Sequence, residues 1–176
     1  MKPELYQIAC EPQQRVVLRR ATAADQDTLL ALVKRERLNP AGVCWPHFVV
    51  ATDAFGIVGA AQLRRHADGS REVASLVVIP PMRGQGIAAR LIDALLAFRH
   101  APVHLVTEQV HAAYFERWGF RAIDPCRAPR AVRRTWLIGQ VGRLGQVIGI
   151  ARLFGARAPL RLVILERPAR AASLAA

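Results

Sequence analysis

The chain has 176 residues, 52% hydrophobic and 22% charged, which excludes a disordered chain and suits one domain able to bury about 70% of its unfolded surface. Its formal charge is +12, and residues 121–170 hold eleven arginines against only Asp124 and Glu166; such a field attracts polyanions, whether a phosphorylated cofactor, a nucleic acid or an anionic membrane. Cys10, Cys44 and Cys126 are far apart with no CxxC pair, which excludes a disulfide framework and a zinc site. The start, MKPELYQIACEPQQ, lacks the apolar run of a secretory leader, so a cytoplasmic location is expected.

Residues 1–14 read as a loose arm, and Val16 to Arg19 as a short strand. Thr22, with Asp25 three positions on, is a candidate N-cap for a helix running to about Arg37, with Leu29, Leu32 and Val33 at helical spacing. Asn39-Pro40 breaks it. FVVAT (48–52), the turn DAFG (53–56) and IVGAAQL (57–63) form a predicted hairpin. EVASLVVI (72–79) is the strongest strand in the sequence and ends at Pro80-Pro81. A helix is expected from Gly86 to Arg99, with Ile87, Leu91, Leu95 and Phe98 as its apolar stripe. VHLVT (103–107) reads as a strand and HAAYFERW (111–118) as a short helix stopped by Gly119. Phe120–Ile123 and Leu160–Glu166 read as two further strands. Helices alternating with strands imply a mixed α/β sheet.

The informative turn is Arg83-Gly84-Gln85-Gly86-Ile87-Ala88, between the 72–79 strand and the following helix. Glycines at 84 and 86 permit a tight bend with bare N–H groups, and those groups lie at a helix N-terminus, where the dipole favours negative charge. The combination suits a diphosphate; Arg83 adds a charge-assisted contact or caps the loop. It is neither GxxxxGK[ST] nor a full GxGxxG. On the turn alone, a ligand-free strand-to-helix bend stays equally open.

In context, strand, then Val78-x-Pro80-x-x-Arg83-Gly84-x-Gly86-x-Ala88, then helix resembles the coenzyme A motif of the GNAT acyltransferase superfamily. YFERWGF (114–120) is similar to the family's short helix and Gly-Phe turn, VVLRRATAADQDTLLALV (16–33) to its first strand and helix, and RLVILERP (161–168) to its last strand. The resemblance implies a GNAT fold over residues 1–176: a mixed sheet splayed at the cofactor cleft, helices on both faces, and a helical insertion (128–158) before the last strand. It implies N-acetyl transfer from acetyl-CoA to a primary amine, by direct attack in a ternary complex, with no metal. Backbone groups of Val77, Val78 and Ile79 would pair with the pantetheine arm, and one N–H near Val77 or Val78 would polarise the thioester. Arg83, Gly84, Gln85, Gly86, Ile87 and Ala88 would hold the diphosphate, with Phe115 also against the cofactor.

Chemistry needs a base to make the amine neutral. Glu72, on the motif strand, is the first candidate, its alternative being a solvated strand-end carboxylate. Glu108 is the second, and water the third. The family often places an acidic tyrosine five residues before the Phe of Gly-Phe; here that position is Phe115, with Tyr114 one step away, about 100° round a helix. Tyr114 is therefore either an acid in a shifted register or a packing residue. Without a working acid, the alternative is an idle coenzyme A-binding or partner-docking module. The loop 37–48 would shape the acceptor pocket, with Cys44, Trp45 and His47 as lining candidates. His100 and His104 are separated by Pro102, so they share no helix face and hold no metal.

Within 128–158, Leu137, Val141, Leu144, Ile148 and Ala151 form an expected apolar seam, with Gly139, Gly142, Gly145 and Gly149 on another face. Arg143 and Arg152 argue against a transmembrane span, each costing about 2.5–3.5 kcal/mol at mid-bilayer. A helix clamped on its own domain, a homodimer surface and a helix on an anionic membrane all remain open. Nucleic-acid binding lacks the aromatic interleaving of single-strand binders.

Overall fold

The computed structural model describes residues 15–36, 38–97, 101–151 and 161–169, with side chains left aside over 141–151. Seven strands form one sheet: β1 (Val17–Arg20), β2 (Phe48–Asp53), β3 (Gly56–Arg65), β4 (Arg71–Val78), β5 (Val103–Glu108), β6 (Arg121–Ile123) and β7 (Leu162–Arg167). Their order is β1-β2-β3-β4-β5-β7-β6. Neighbours are antiparallel except β4 and β5, which are parallel and joined by a crossover through α2 (Ile87–Leu96). The other helices are α1 (Gln26–Arg35), α3 (Ala112–Glu116) and α4 (Arg130–Ala151).

Alternation along the strands sorts their side chains onto two faces. On one, Leu63, Val73 and Leu105 meet Leu91, Ile92 and Leu95 of α2 and Phe115 of α3. On the other, Val50, Ala60 and Val77 meet Leu29 and Leu32 of α1, and farther along Ile164 meets Val132 of α4. The predicted stripe of α2 holds at Ile87, Leu91 and Leu95, while Phe98 lies outside the described residues. Asp25 anchors the start of α1. Its carboxylate accepts from Thr22 N–H at 2.7 Å and from both terminal nitrogens of Arg19 at 2.7 and 2.9 Å. Arg19 first, and Thr22 after it, hold this carboxyl well below the ordinary carboxylate range, against the opposing effect of burial.

Of the expected seam of the insertion, only Leu137 has a described side chain, and it does not pack against the sheet. Leu137 and Ile138 are half exposed, whereas Ala128, Val132 and Trp136 face the sheet and the Trp136 indole donates to the Leu162 carbonyl at 2.9 Å. Gly139 lies on this packed side: a Cβ there would stand 2.8 Å from Leu162 Cδ1. A side chain at 139 would have to displace that methyl, a contact an apolar spacing pattern does not register. The remainder of the expected seam falls outside the described side chains.

Candidate active site

β4 and β5 pair at two positions only, Glu72 with His104 and Val73 with Leu105. Beyond them β4 runs on to Val78 and β5 to Glu108 without pairing, so the sheet opens into a V. The opening starts beside a bulge in β4. Two residues, Ser75 and Leu76, stand between the partners of Ala60 and Gln62, and Ser75 takes φ +51°, the one positive φ among the described non-glycine residues.

Backbone direction decides which amides face the gap. Ile79 N–H donates to Val58 of β3 at 2.9 Å, and by alternation Val77 is turned to β3 as well. Val78 points the other way, and its carbonyl accepts from Arg83 Nε at 2.9 Å on the open side. Of the three strand residues expected at the cofactor, Val78 has its backbone toward the gap, while Val77 and Ile79 are engaged with β3.

At the end of β4, Pro80–Met82 make a single 3-10 turn and Gly84 and Gly86 adopt φ +79° and +75°, values reached routinely only by glycine. Gly86 is the N-cap of α2. The first helical acceptance is from Arg90 N–H to the Gly86 carbonyl at 3.1 Å, so the amides just ahead of Arg90 are the unsatisfied donors of a helix start. A Cβ at Gly84 or Gly86 would meet no neighbouring atom. The loop is thus open outward, as a diphosphate seat requires. Arg83 caps the loop in this structure: besides Val78 it binds Glu36, at the end of α1, at 2.7 Å.

Glu72 lies at the closed end of the V, on the face that carries α1 and α4. It is not a solvated strand-end residue: it is 2% exposed. One carboxylate oxygen, Oε2, is 2.7 Å from His66 Nε2, 3.4 Å from Thr135 Oγ1 of α4 and 3.9 Å from Arg64 Nη1. Asp68, in the turn between β3 and β4, accepts from Ala131 N–H at 3.1 Å and so caps the first turn of α4. Hydrogen bonds from Ser70 first, then Ala131, hold Asp68 down to about 2. The turn and α4 together close over Glu72.

Gln62, fully buried, bonds Ser75 Oγ at 2.9 Å. With its amide oriented to satisfy both ends it also donates to the Gly42 carbonyl at 3.1 Å, and Arg64 donates to Ala41 at 2.8 Å. The two side chains tie the loop ahead of β2 to the bulge. Trp45 packs with the α1 cluster. Its expected companion His47, the last residue of the 3-10 turn Trp45–His47, stands on the opposite, α2 face, in a depression with Leu18, Arg65 and Leu95.

Glu108 is the last residue of β5, opposite Leu162, away from Glu72. Phe115 is buried against Phe120 at 6.2 Å between ring centroids. Tyr114 is 37% exposed, 5.3 Å from the Trp118 ring and with the Arg117 guanidinium 4.1 Å above it. His104 is buried, with Nδ1 3.4 Å from the Arg71 carbonyl; among the described residues no group of three His, Cys, Asp or Glu converges as a metal site.

This V-shaped opening beside a glycine turn has relatives. The family described as "Acetyltransferase (GNAT) domain" matches residues 45–122, the span from the 3-10 turn ahead of β2 into β6. Over that span the chain is similar to the GNAT acetyltransferases. A mycothiol acetyltransferase of Rhodococcus jostii (strain RHA1) is 37% identical over 81 residues, 46% of this chain and 27% of that protein. The match thus takes in about a quarter of the length of that curated relative. Among solved structures, N-acetylglutamate synthase from Neisseria gonorrhoeae, complexed with coenzyme A and N-acetyl-glutamate, superposes with TM-score 0.64 at 18% identity, over 91% of this chain and 36% of that one. Rv2747 from Mycobacterium tuberculosis, in complex with CoA and NLQ, gives 0.57 at 22% identity over 85% and 97%. At these identities the structures speak for the fold: an open mixed sheet with helices on both faces. Among the described residues no helix is long and apolar enough to cross a membrane.

Gln62, Arg64, His66, Ser75 and Thr135 were not singled out from the sequence. A weak signal existed for two of them: Gln62 and Arg64 sit two apart, on one face, at the end of a strand that is apolar up to Ala61. For Thr135 there was none.

Proposed function

We propose that this GNAT chain transfers an acetyl group from acetyl-CoA to a primary amine of a small molecule or polypeptide, within one domain that includes the helical insertion. The observation that carries the reading is the parting of β4 from β5 after Val73, directly below the open glycine turn. A linear thiol arm fits between the strands, and its diphosphate fits the amides of residues 84–88. In this arrangement the Val78 N–H polarises the thioester carbonyl, because a fixed donor in a water-poor cleft favours the charge that develops in the transition state. Glu72 takes the proton of the incoming ammonium. The neutral nitrogen attacks the carbonyl carbon, the C–N bond forms and the C–S bond breaks. The proton that the nitrogen sheds on becoming an amide goes to the departing sulfur. No tyrosine acid is needed for that last transfer, which suits a chain with Phe115 in the core.

Release of free thiol from acetyl-CoA in the presence of spermidine, tyramine, lysine or glucosamine tests the proposal, together with the rise in unfolding temperature that a specific ligand produces. Stabilisation by acetyl-CoA without amine-dependent thiol release would favour the second reading, an idle coenzyme A-binding module, which the buried Phe115 at the usual tyrosine position supports. No stabilisation at all would contradict both.

A further inference from the structure

We propose that His66 carries the proton from Glu72 to solvent, and that the insertion is what makes this relay necessary; the inference rests on the acetyl-transfer reading. Thr135 and the α4 turn around it cover Glu72, leaving it 2% exposed. With an acceptor seated on its cleft side, a base so enclosed cannot hand its proton directly to bulk water. Acetylation of an ammonium by a thioester yields an amide, a thiol and one net proton, so on every turnover one proton leaves by way of Glu72.

Among the described residues, the groups around the carboxylate narrow the exit to one. Arg64 of β3, 3.9 Å away, stays protonated and accepts nothing. The Thr135 hydroxyl is shared with the Ala131 carbonyl at 3.3 Å and leads into the backbone of α4. His104 of β5 is buried, with its ring nitrogens 3.4 Å from the Arg71 carbonyl and 4.0 Å from Glu166. His66 remains: its Nε2 touches Glu72 Oε2 at 2.7 Å, and its side chain, 13% exposed, reaches the surface. An imidazole binds a proton on one nitrogen and releases it from the other, the standard action of a histidine shuttle. The turn holds the ring's backbone firmly, with His66 N–H on Ser70 at 2.9 Å and Gly69 N–H on His66 at 3.0 Å, and Asp68 beside it is engaged by Ser70 and α4. His66 acts through Glu72 and does not touch the reacting atoms.

The test compares wild type with His66→Ala and His66→Gln, using acetyl-CoA and whichever of spermidine, tyramine, lysine or glucosamine releases thiol. The second substitution exchanges the ring for an amide that donates to Glu72 but transfers no proton. In dilute buffer both variants are expected to turn over roughly tenfold or more slowly, with acetyl-CoA still raising their unfolding temperatures as in wild type. Added imidazole should restore the rate in the variants and leave wild type unchanged. Full activity of His66→Gln would show that the residue only positions Glu72, and a slow rate indifferent to imidazole would equally overturn the relay. If wild type releases no thiol with any of the four amines, the acetyl-transfer reading fails and the relay with it, before any variant is made.

Discussion

β4 carries two sites built in different ways. At its C-terminal end the polypeptide offers backbone: the amides of a bend that only glycine takes, with the side chains turned away. At its N-terminal end it offers side chains drawn from β3, the β3–β4 turn, β4 itself and α4, gathered around one buried carboxylate. A backbone site tolerates change in all but its glycines. A side-chain cluster depends on every member, because a buried charge that loses a partner bears the full cost of desolvation. The first arrangement suits a cosubstrate common to a superfamily, and the second allows one chain to differ from its relatives in how it handles protons.

The sharpest way to break this contrast is at Gly86. Valine there would be forced to a positive φ, costing about 1–2 kcal/mol of backbone strain, and its branches would occupy the seat of the diphosphate. Since a Cβ meets no neighbour, Gly86→Val should fold yet show no stabilisation by acetyl-CoA in thermal unfolding. At the other end, Glu72→Gln should lower turnover on the order of a hundredfold or more while the acetyl-CoA KM stays within about twofold; unchanged turnover would remove Glu72 as the base.

A third change probes the insertion that closes the cluster. Gly139→Leu drives a side chain into Leu162 and should destabilise the fold by about 1–3 kcal/mol, as overpacking does, read from urea unfolding. The smallest effect is expected away from both sites. Asp25→Asn should cost about 1–2 kcal/mol near neutral pH through the loss of charged hydrogen bonds. The folded state holds Asp25 below its unfolded value of about 3.9, so its contribution is complete above that value and is lost as pH falls. The stability gap between wild type and Asp25→Asn should therefore close on acidification below about pH 4; a gap that persisted would contradict the assignment.

The two ends of β4 also differed in how far the sequence disclosed them. Glycine spacing after an apolar strand marks a bend whose function resides in the backbone, so Gly84 and Gly86 could be read directly. The strands and the α1 and α2 stripes were legible for a related reason: periodic burial leaves a periodic sequence. The surroundings of Glu72 left no such trace, since residues 64, 66, 72 and 135 meet only through tertiary packing, and an isolated strand-end glutamate resembles a solvated one. In the described part of the insertion the apolar spacing placed Leu137 on the packed face, whereas the contacts to β7 are made through Val132, Trp136 and Gly139.

Where a doubly phosphorylated carrier settles on the molecule decides most directly between a cofactor cleft and an empty bend. A crystal structure of the full chain with coenzyme A should place the diphosphate on the amides of residues 84–88 and the thiol arm between the parted strands, near Val78. Coenzyme A bound elsewhere on the basic surface, with β4 and β5 parted but empty, would contradict it.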